Sequence, residues 1–426
     1  MAGPMKFRSL AYPGVLILVA MLALTACDKK DKKKVDEPAK LTDIKSPTVR
    51  INRVWHASVG GGGEKLRLGL GIASSGDRLF AAGREGEVAA FNLKNGKEIW
   101  RVKTKLELTG GTGANADLVA VGSAEGLILA LDASNGAEKW RADVHGEVLS
   151  APAVSEKEIV VRTVDGKLRA LATTDGAELW AAEQQIPRLT LRGAATPVVA
   201  HELAISGFDN GRVIAVSLAD GATVWDAPVS PSHGRTELER LNDIDAAVKV
   251  VGEDVFVAGY QGRAAMLALD SGQIWWTHDL SSYRGVDVDD EQMYVSTSGG
   301  EVVALKRRSG TEVWHNDSLK FRGLSAPTVV GEYVVVADLD GYVHWFDRAT
   351  GNIAGRDKAG GDRVSNPPLA VEDTLYLIND NGEISALRGQ PIAPRATKRE
   401  APPAEAPAPE AAPRSDAEGP VPAPGG

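Results

Sequence analysis

The hydrophobic and polar positions of this chain repeat one pattern nearly from end to end. Its clearest copy is Gly126-Leu-Ile-Leu-Ala-Leu-Asp-Ala-Ser-Asn-Gly136-Ala-Glu-Lys-Trp140. A glycine opens each copy, a short alternating run follows, a second glycine stands ten positions on, and a tryptophan four beyond that. The opening glycines are Gly86, Gly126, Gly166, Gly211, Gly262, Gly300, Gly341 and Gly382, separated by 40, 40, 45, 51, 38, 41 and 41 residues. Seven copies keep the second glycine, at Gly96, Gly136, Gly176, Gly221, Gly272, Gly310 and Gly351. Six add the tryptophan, at Trp100, Trp140, Trp180, Trp225, Trp276 and Trp314.

Each copy predicts the same elements. The alternation in Val88-Ala-Ala-Phe-Asn is the period-2 signature of a half-buried strand. The opening glycine, often after Asp or Asn, supplies the positive φ of a tight hairpin. The second glycine turns the chain again, and the tryptophan strand returns beside the first. Two more short strands fit before the next opening, as in Ala151-Pro-Ala-Val154 and Glu158-Ile-Val-Val-Arg162. Four strands in each repeat make a propeller blade, whose faces are buried by its neighbours. The fold class is therefore all-β, an eight-bladed β-propeller with four-stranded antiparallel blades. The last copy stops near Leu387-Arg388 without its tryptophan strand, and the missing strand stands at the other end as Ile51-Asn-Arg-Val-Trp55. Pairing the two closes the ring and removes an exposed sheet edge. The tryptophans, Trp55 included, are expected to be structural. Losing one from a packed site costs about 3–5 kcal/mol.

The termini read differently from the ring. Residues 1–26 are a signal peptide: Lys6 and Arg8 precede a twelve-residue apolar run from Val15 to Ala26. A bilayer-spanning helix needs about 20 such residues. The run ends in Leu24-Thr25-Ala26-Cys27, which is similar to the bacterial lipobox and implies cleavage before Cys27 and its lipidation. Cys27 is the single cysteine, so no intramolecular disulfide can form. Residues 27–50 are expected to be a flexible, lysine-rich tether. Lys29, Lys30, Lys32, Lys33 and Lys34 suit either anionic headgroups or plain solvation. The ring spans 51–388, and 389–426 is a Pro/Ala-rich tail expected to be disordered.

Composition agrees with one large all-β domain. The 426 residues are 43% hydrophobic and include 46 glycines, and the net charge of −9 argues against nucleic acid as a partner. The search for chemistry finds little. Seven histidines (His56, His145, His201, His233, His278, His315, His344) are scattered singly, without metal-ligand spacing. Gly60-Gly-Gly-Gly63 lacks the Lys and Ser/Thr of a phosphate loop, and no nucleophile elbow occurs. The acidic run from Asp287 to Glu291 lacks calcium-loop spacing and reads as a solvated hairpin. No metal or cofactor is expected, and no catalytic residue is assigned.

The repeat resembles the blades of pyrroloquinoline-quinone dehydrogenases, which implies a quinoprotein oxidoreductase as one alternative. Members of that family similar to methanol dehydrogenase place a vicinal disulfide over the quinone, and a single cysteine cannot supply one. The closer resemblance is to the BamB family of outer-membrane-protein assembly lipoproteins, and it covers the signal, the lipobox and all the blades. Two stretches carry it most specifically, Leu189-Thr-Leu191-Arg192-Gly193 and Thr236-Glu-Leu-Glu-Arg-Leu-Asn-Asp243-Ile-Asp245. Both lie in the longest repeats, where extra loop length on a rigid scaffold tends to carry function. The resemblance implies docking onto the periplasmic POTRA domains of the barrel-forming subunit BamA, through Leu189, Leu191 and Arg192 on one loop and Asp243 and Asp245 on the next. It implies indirect contact with the other lipoproteins of the BAM complex and assistance to unfolded outer-membrane proteins. It also implies a lipid anchor on the periplasmic face of the outer membrane. The residues leave a second arrangement open, with both leucines in the core and Arg192 paired to Asp243 or Asp245 within the chain. A scaffold for another envelope complex is a further alternative. Asp28, directly after Cys27, departs from the expected localisation, because in enterobacteria Asp there favours retention in the inner membrane.

Overall fold

The computed structural model describes residues 3, 36–61, 68–187, 189–190, 193, 195–231, 236, 242–393, 419 and 425–426. These residues fold into eight four-stranded antiparallel sheets arranged as a ring. Blades 1 to 7 are continuous in sequence, at 73–103, 108–143, 153–183, 198–228, 249–279, 286–316 and 328–358. Blade 8 joins 369–391 to the N-terminal strand Val49–Ser58. That strand pairs antiparallel with Glu383–Pro391, with Trp55 opposite Ala386, so the expected closure of the ring is present.

Eight buried apolar clusters, one between each pair of neighbouring blades, hold the ring together. The repeat's tryptophan sits at the centre of most of these joints. Each of the seven expected tryptophans is buried and donates its indole N–H to a main-chain carbonyl of the next blade, at 2.7–3.1 Å. Trp225, for example, reaches the Leu269 carbonyl at 2.8 Å. The ring lies flat against the next blade's second repeat glycine. An added Cβ on Gly272 would come within 2.6 Å of Trp225. That glycine is therefore required twice over, by a φ of +68° and by the indole on its face.

Two joints depart from the repeat. At blade 5 the left-handed turn residue is Gln261, at φ +48°, and not the opening glycine Gly262. A Cβ at Gly262 would strike Ser230, so close approach explains the glycine there. In blade 7 the tryptophan and its small partner have exchanged strands. In the other blades an Ala or Met on the third strand faces the tryptophan on the fourth, whereas here Trp345 on the third faces Gly355 on the fourth. Trp345 fills the same space from the inner side, packing on Gly389, while Val49 covers Gly355. The joint keeps a buried tryptophan although the motif is lost.

The acidic run is also better built than a solvated hairpin. Asp287 is buried, pairs with Lys249 of blade 5 at 2.7 Å and accepts the Val329 N–H of blade 7 at 2.7 Å. It braces three inner strands. The segment expected to be a free tether up to Arg50 is likewise hydrogen-bonded to the ring from Ala39 onward.

Candidate functional site

In an antiparallel blade the turns between second and third strands share one face of the ring with the blade-to-blade connectors. The two stretches singled out in sequence are such connectors. Residues 184–197 join blades 3 and 4, and residues 229–248 join blades 4 and 5. They border an open cavity of about 770 Å³ lined in part by Gly193, Asp245, Tyr260, Tyr283, Arg284 and Asn366.

Local hydrogen bonds fix the second connector. Ser230 N donates to Gly211 O at 2.9 Å, and the Asn242 side chain donates to the Ser230 carbonyl. Ile244 N donates to Phe208 O at 3.2 Å, and Tyr260 N donates to Asp243 O at 2.8 Å. The Ile244 side chain is buried in the cluster between blades 4 and 5. The connector is thus fastened to the turns of the two blades that it joins.

The five residues expected at the site from sequence fall into three groups. Leu189 is 41% exposed at a bend of the first connector. Leu191 and Arg192 lie outside the described residues. Asp243 is fully buried, and Asp245 is half-buried at the edge of the cavity. The connectors meet at Gly193, where an added Cβ would lie 3.2 Å from the Asp245 carboxyl carbon. Here the two stretches, about fifty residues apart in sequence, come into contact.

Beneath them lies a charge cluster that sequence reasoning missed. Arg162, at the end of blade 3's second strand, is fully buried and donates to Asp209 of blade 4 at 2.7 Å. Its guanidinium also covers the Phe208 ring at 4.8 Å. Burial, with Asp243 and Asp209 nearby, pushes the Asp245 carboxyl up to about 8, against the opposing pull of Arg162. A carboxyl that holds its proton more tightly when folded stabilises the fold less and less as pH rises from about 4 through 8. Asp245→Asn is therefore expected to flatten this decline. The variant should gain on the parent by a few kcal/mol, in order of magnitude, between pH 5 and pH 9 in urea unfolding. Parallel pH profiles for parent and variant would show that Asp245 titrates normally.

Among the described residues, no group of three or more His, Cys, Asp or Glu side chains is placed to hold a metal ion. What the geometry does provide is a ring on one face of which two long connectors meet at Gly193 and Asp245. Fold and site together define an eight-bladed propeller whose two longest blade-to-blade connectors meet on one face.

Comparisons with known proteins give the family. A family model described as outer membrane protein assembly factor BamB matches residues 52–105, 84–316 and 290–399. The chain is 45% identical to outer membrane protein assembly factor BamB of Pseudomonas aeruginosa over 370 residues, covering 87% of this chain and 97% of that protein. It is 46% identical to the protein of that name from Alkalilimnicola ehrlichii, covering 88% and 96%. For Escherichia coli the figures are 32% identity and 90% and 100% coverage. The crystal structure of BamB from Moraxella catarrhalis superposes with a TM-score of 0.73 at 28% identity, over 80% of this chain and 100% of that one. This chain belongs to the BamB family. A quinohemoprotein alcohol dehydrogenase from Comamonas testosteroni also superposes, with a TM-score of 0.61, 12% identity and coverage of 79% and 76%, which shows a shared fold alone.

Proposed function

We propose that this protein is a non-catalytic scaffold in outer-membrane β-barrel assembly, docking the POTRA domains of a BamA-type subunit through its two long connectors. Family membership supports the assembly role. The observation that supports the docking site is the meeting of the two connectors at Gly193 and Asp245, with Leu189 exposed on the first of them. The roles divide accordingly. Leu189 and Leu191 supply apolar anchors and Arg192 a directional charge, while Asp243 and Asp245 hold the loops from below. The protein would be held to the periplasmic face of the outer membrane by lipid on Cys27, which lies outside the described residues.

The test is a titration of the full mature chain with the periplasmic arm of the BamA-type subunit from the same cell. Leu191→Ala and Arg192→Ala are expected to weaken binding tenfold or more, as loss of an interface anchor does, with the unfolding midpoint unchanged. Asp243→Ala should lower both affinity and stability. Binding that none of the three alters would place the interface elsewhere on the ring.

A further inference from the structure

The residues between the lysine run and the first strand have the composition of a solvated linker, yet the ring holds them by their main chain. Ala39 N donates to the Lys320 carbonyl at 2.9 Å, and Thr48 N donates to the Ala354 carbonyl at 2.8 Å. Two arginines grip the carbonyls between. Arg322 Nη1 donates to Ala39 O at 3.0 Å, and Arg356 Nη1 donates to Thr42 O at 2.9 Å. Leu41 packs against the apolar cluster between blades 6 and 7.

Neither arginine is a loose surface side chain. Arg322 is buried and donates to Asp338 at 2.7 Å and to Asp340 at 2.6 Å. Arg356 Nε donates to His344 Nδ1 at 3.0 Å, which makes Nδ1 an acceptor and leaves the imidazole proton on Nε2. Nε2 in turn faces Asp338 at 3.0 Å. His344 and Asp338 are fully buried, and burial keeps the imidazole pKa below its usual value, in favour of the neutral form. A linker merely lying on the surface would not need hydrogen-bond donors oriented from behind by a buried Asp–His pair.

We propose that residues 39–48 are a strap that docks in cis on blades 6 and 7, so that the chain before residue 36 leaves the ring at a fixed point. The strap runs from the connector between blades 6 and 7, along the outer strand of blade 7, into the N-terminal strand of blade 8. Given the reading of Cys27 as the lipid site, the strap also shortens the tether. The span from Cys27 to Ala39 can extend at most about 40 Å, against roughly 75 Å were the chain free to Val49. The ring is then held close to the membrane by a short span of chain.

Limited trypsin digestion of the full chain, followed by mass spectrometry, tests the strap without any partner, so its outcome is independent of the docking proposal. Cleavage after Lys40 and Lys45 is expected to be at least tenfold slower than cleavage within Lys29 to Lys34. Ala39→Pro removes the N–H donor, and Arg356→Ala removes one grip while leaving the Arg322 pairs in place. Combined, they should bring Lys40 and Lys45 up to the rate of the lysine run, with the ring's thermal midpoint within a few degrees of the parent. Rates in the parent that are already equal would overturn the proposal. So would protection that the double variant leaves untouched.

Discussion

Replacing Arg162 by methionine is expected to cost the ring about 3–5 kcal/mol, the usual consequence of removing one partner of a buried ion pair. The guanidinium is fully buried and lies 2.7 Å from Asp209, which is itself only 4% exposed. Without it, the buried Asp209 loses the cation that pairs with it, in a site that already holds the Asp245 and Asp243 carboxyls. The double variant Arg162→Met/Asp209→Leu removes both charges and should regain most of the loss, because apolar replacement of a whole buried pair is often close to neutral. Urea midpoints at unchanged slope would measure both effects. A single variant that loses less than about 1 kcal/mol would mean that Asp209 is neutral or has another cation. The experiment also bears on function, since Arg162 sits beneath the connectors and joins the two blades that carry the first of them.

Much of this architecture was legible in sequence because it rests on local chemistry. Hairpin glycines, alternating strands and the Gly-to-Trp spacing each depend on residues within one blade, and the split eighth blade follows from counting halves. The motif failed where two strands traded roles. Trp345 occupies the position of the small residue and Gly355 that of the tryptophan, a swap visible only once Trp345 is seen opposite Gly355. The candidate connectors could be found by their length, but not the state of their charges. Arg162 and Asp209 stand 47 positions apart and meet only because adjacent blades stack. Asp243 and Asp245 could be read either as docking contacts or as internal partners of Arg192, and only the fold shows Asp243 fully buried beside Ile244 in the core. The strap was hidden for a related reason. Its residues are polar, and what fixes them is main chain gripped by arginines about three hundred positions away.

The second large effect concerns the tryptophan joint, and blade 5 supplies its own control. Gly252 and Gly272 both have left-handed backbones, at φ +61° and +68°. A Cβ on Gly252 would meet nothing within 4 Å, whereas one on Gly272 would lie 2.6 Å from the Trp225 ring. Gly252→Ala should therefore cost only the backbone term, about 1–2 kcal/mol. Gly272→Ala carries the same term plus overpacking of roughly 1–3 kcal/mol, because a buried indole held by its N–H cannot swing aside. Trp225→Ala alone should cost about 3–5 kcal/mol and open the joint between blades 4 and 5. In the double variant the steric conflict has no second party, so the Gly272→Ala penalty should fall back to that of Gly252→Ala. Thermal or urea unfolding of the four proteins decides it. A penalty at Gly272 that persists at full size without Trp225 would show that backbone conformation alone selects the glycine, and that the indole merely rests against it.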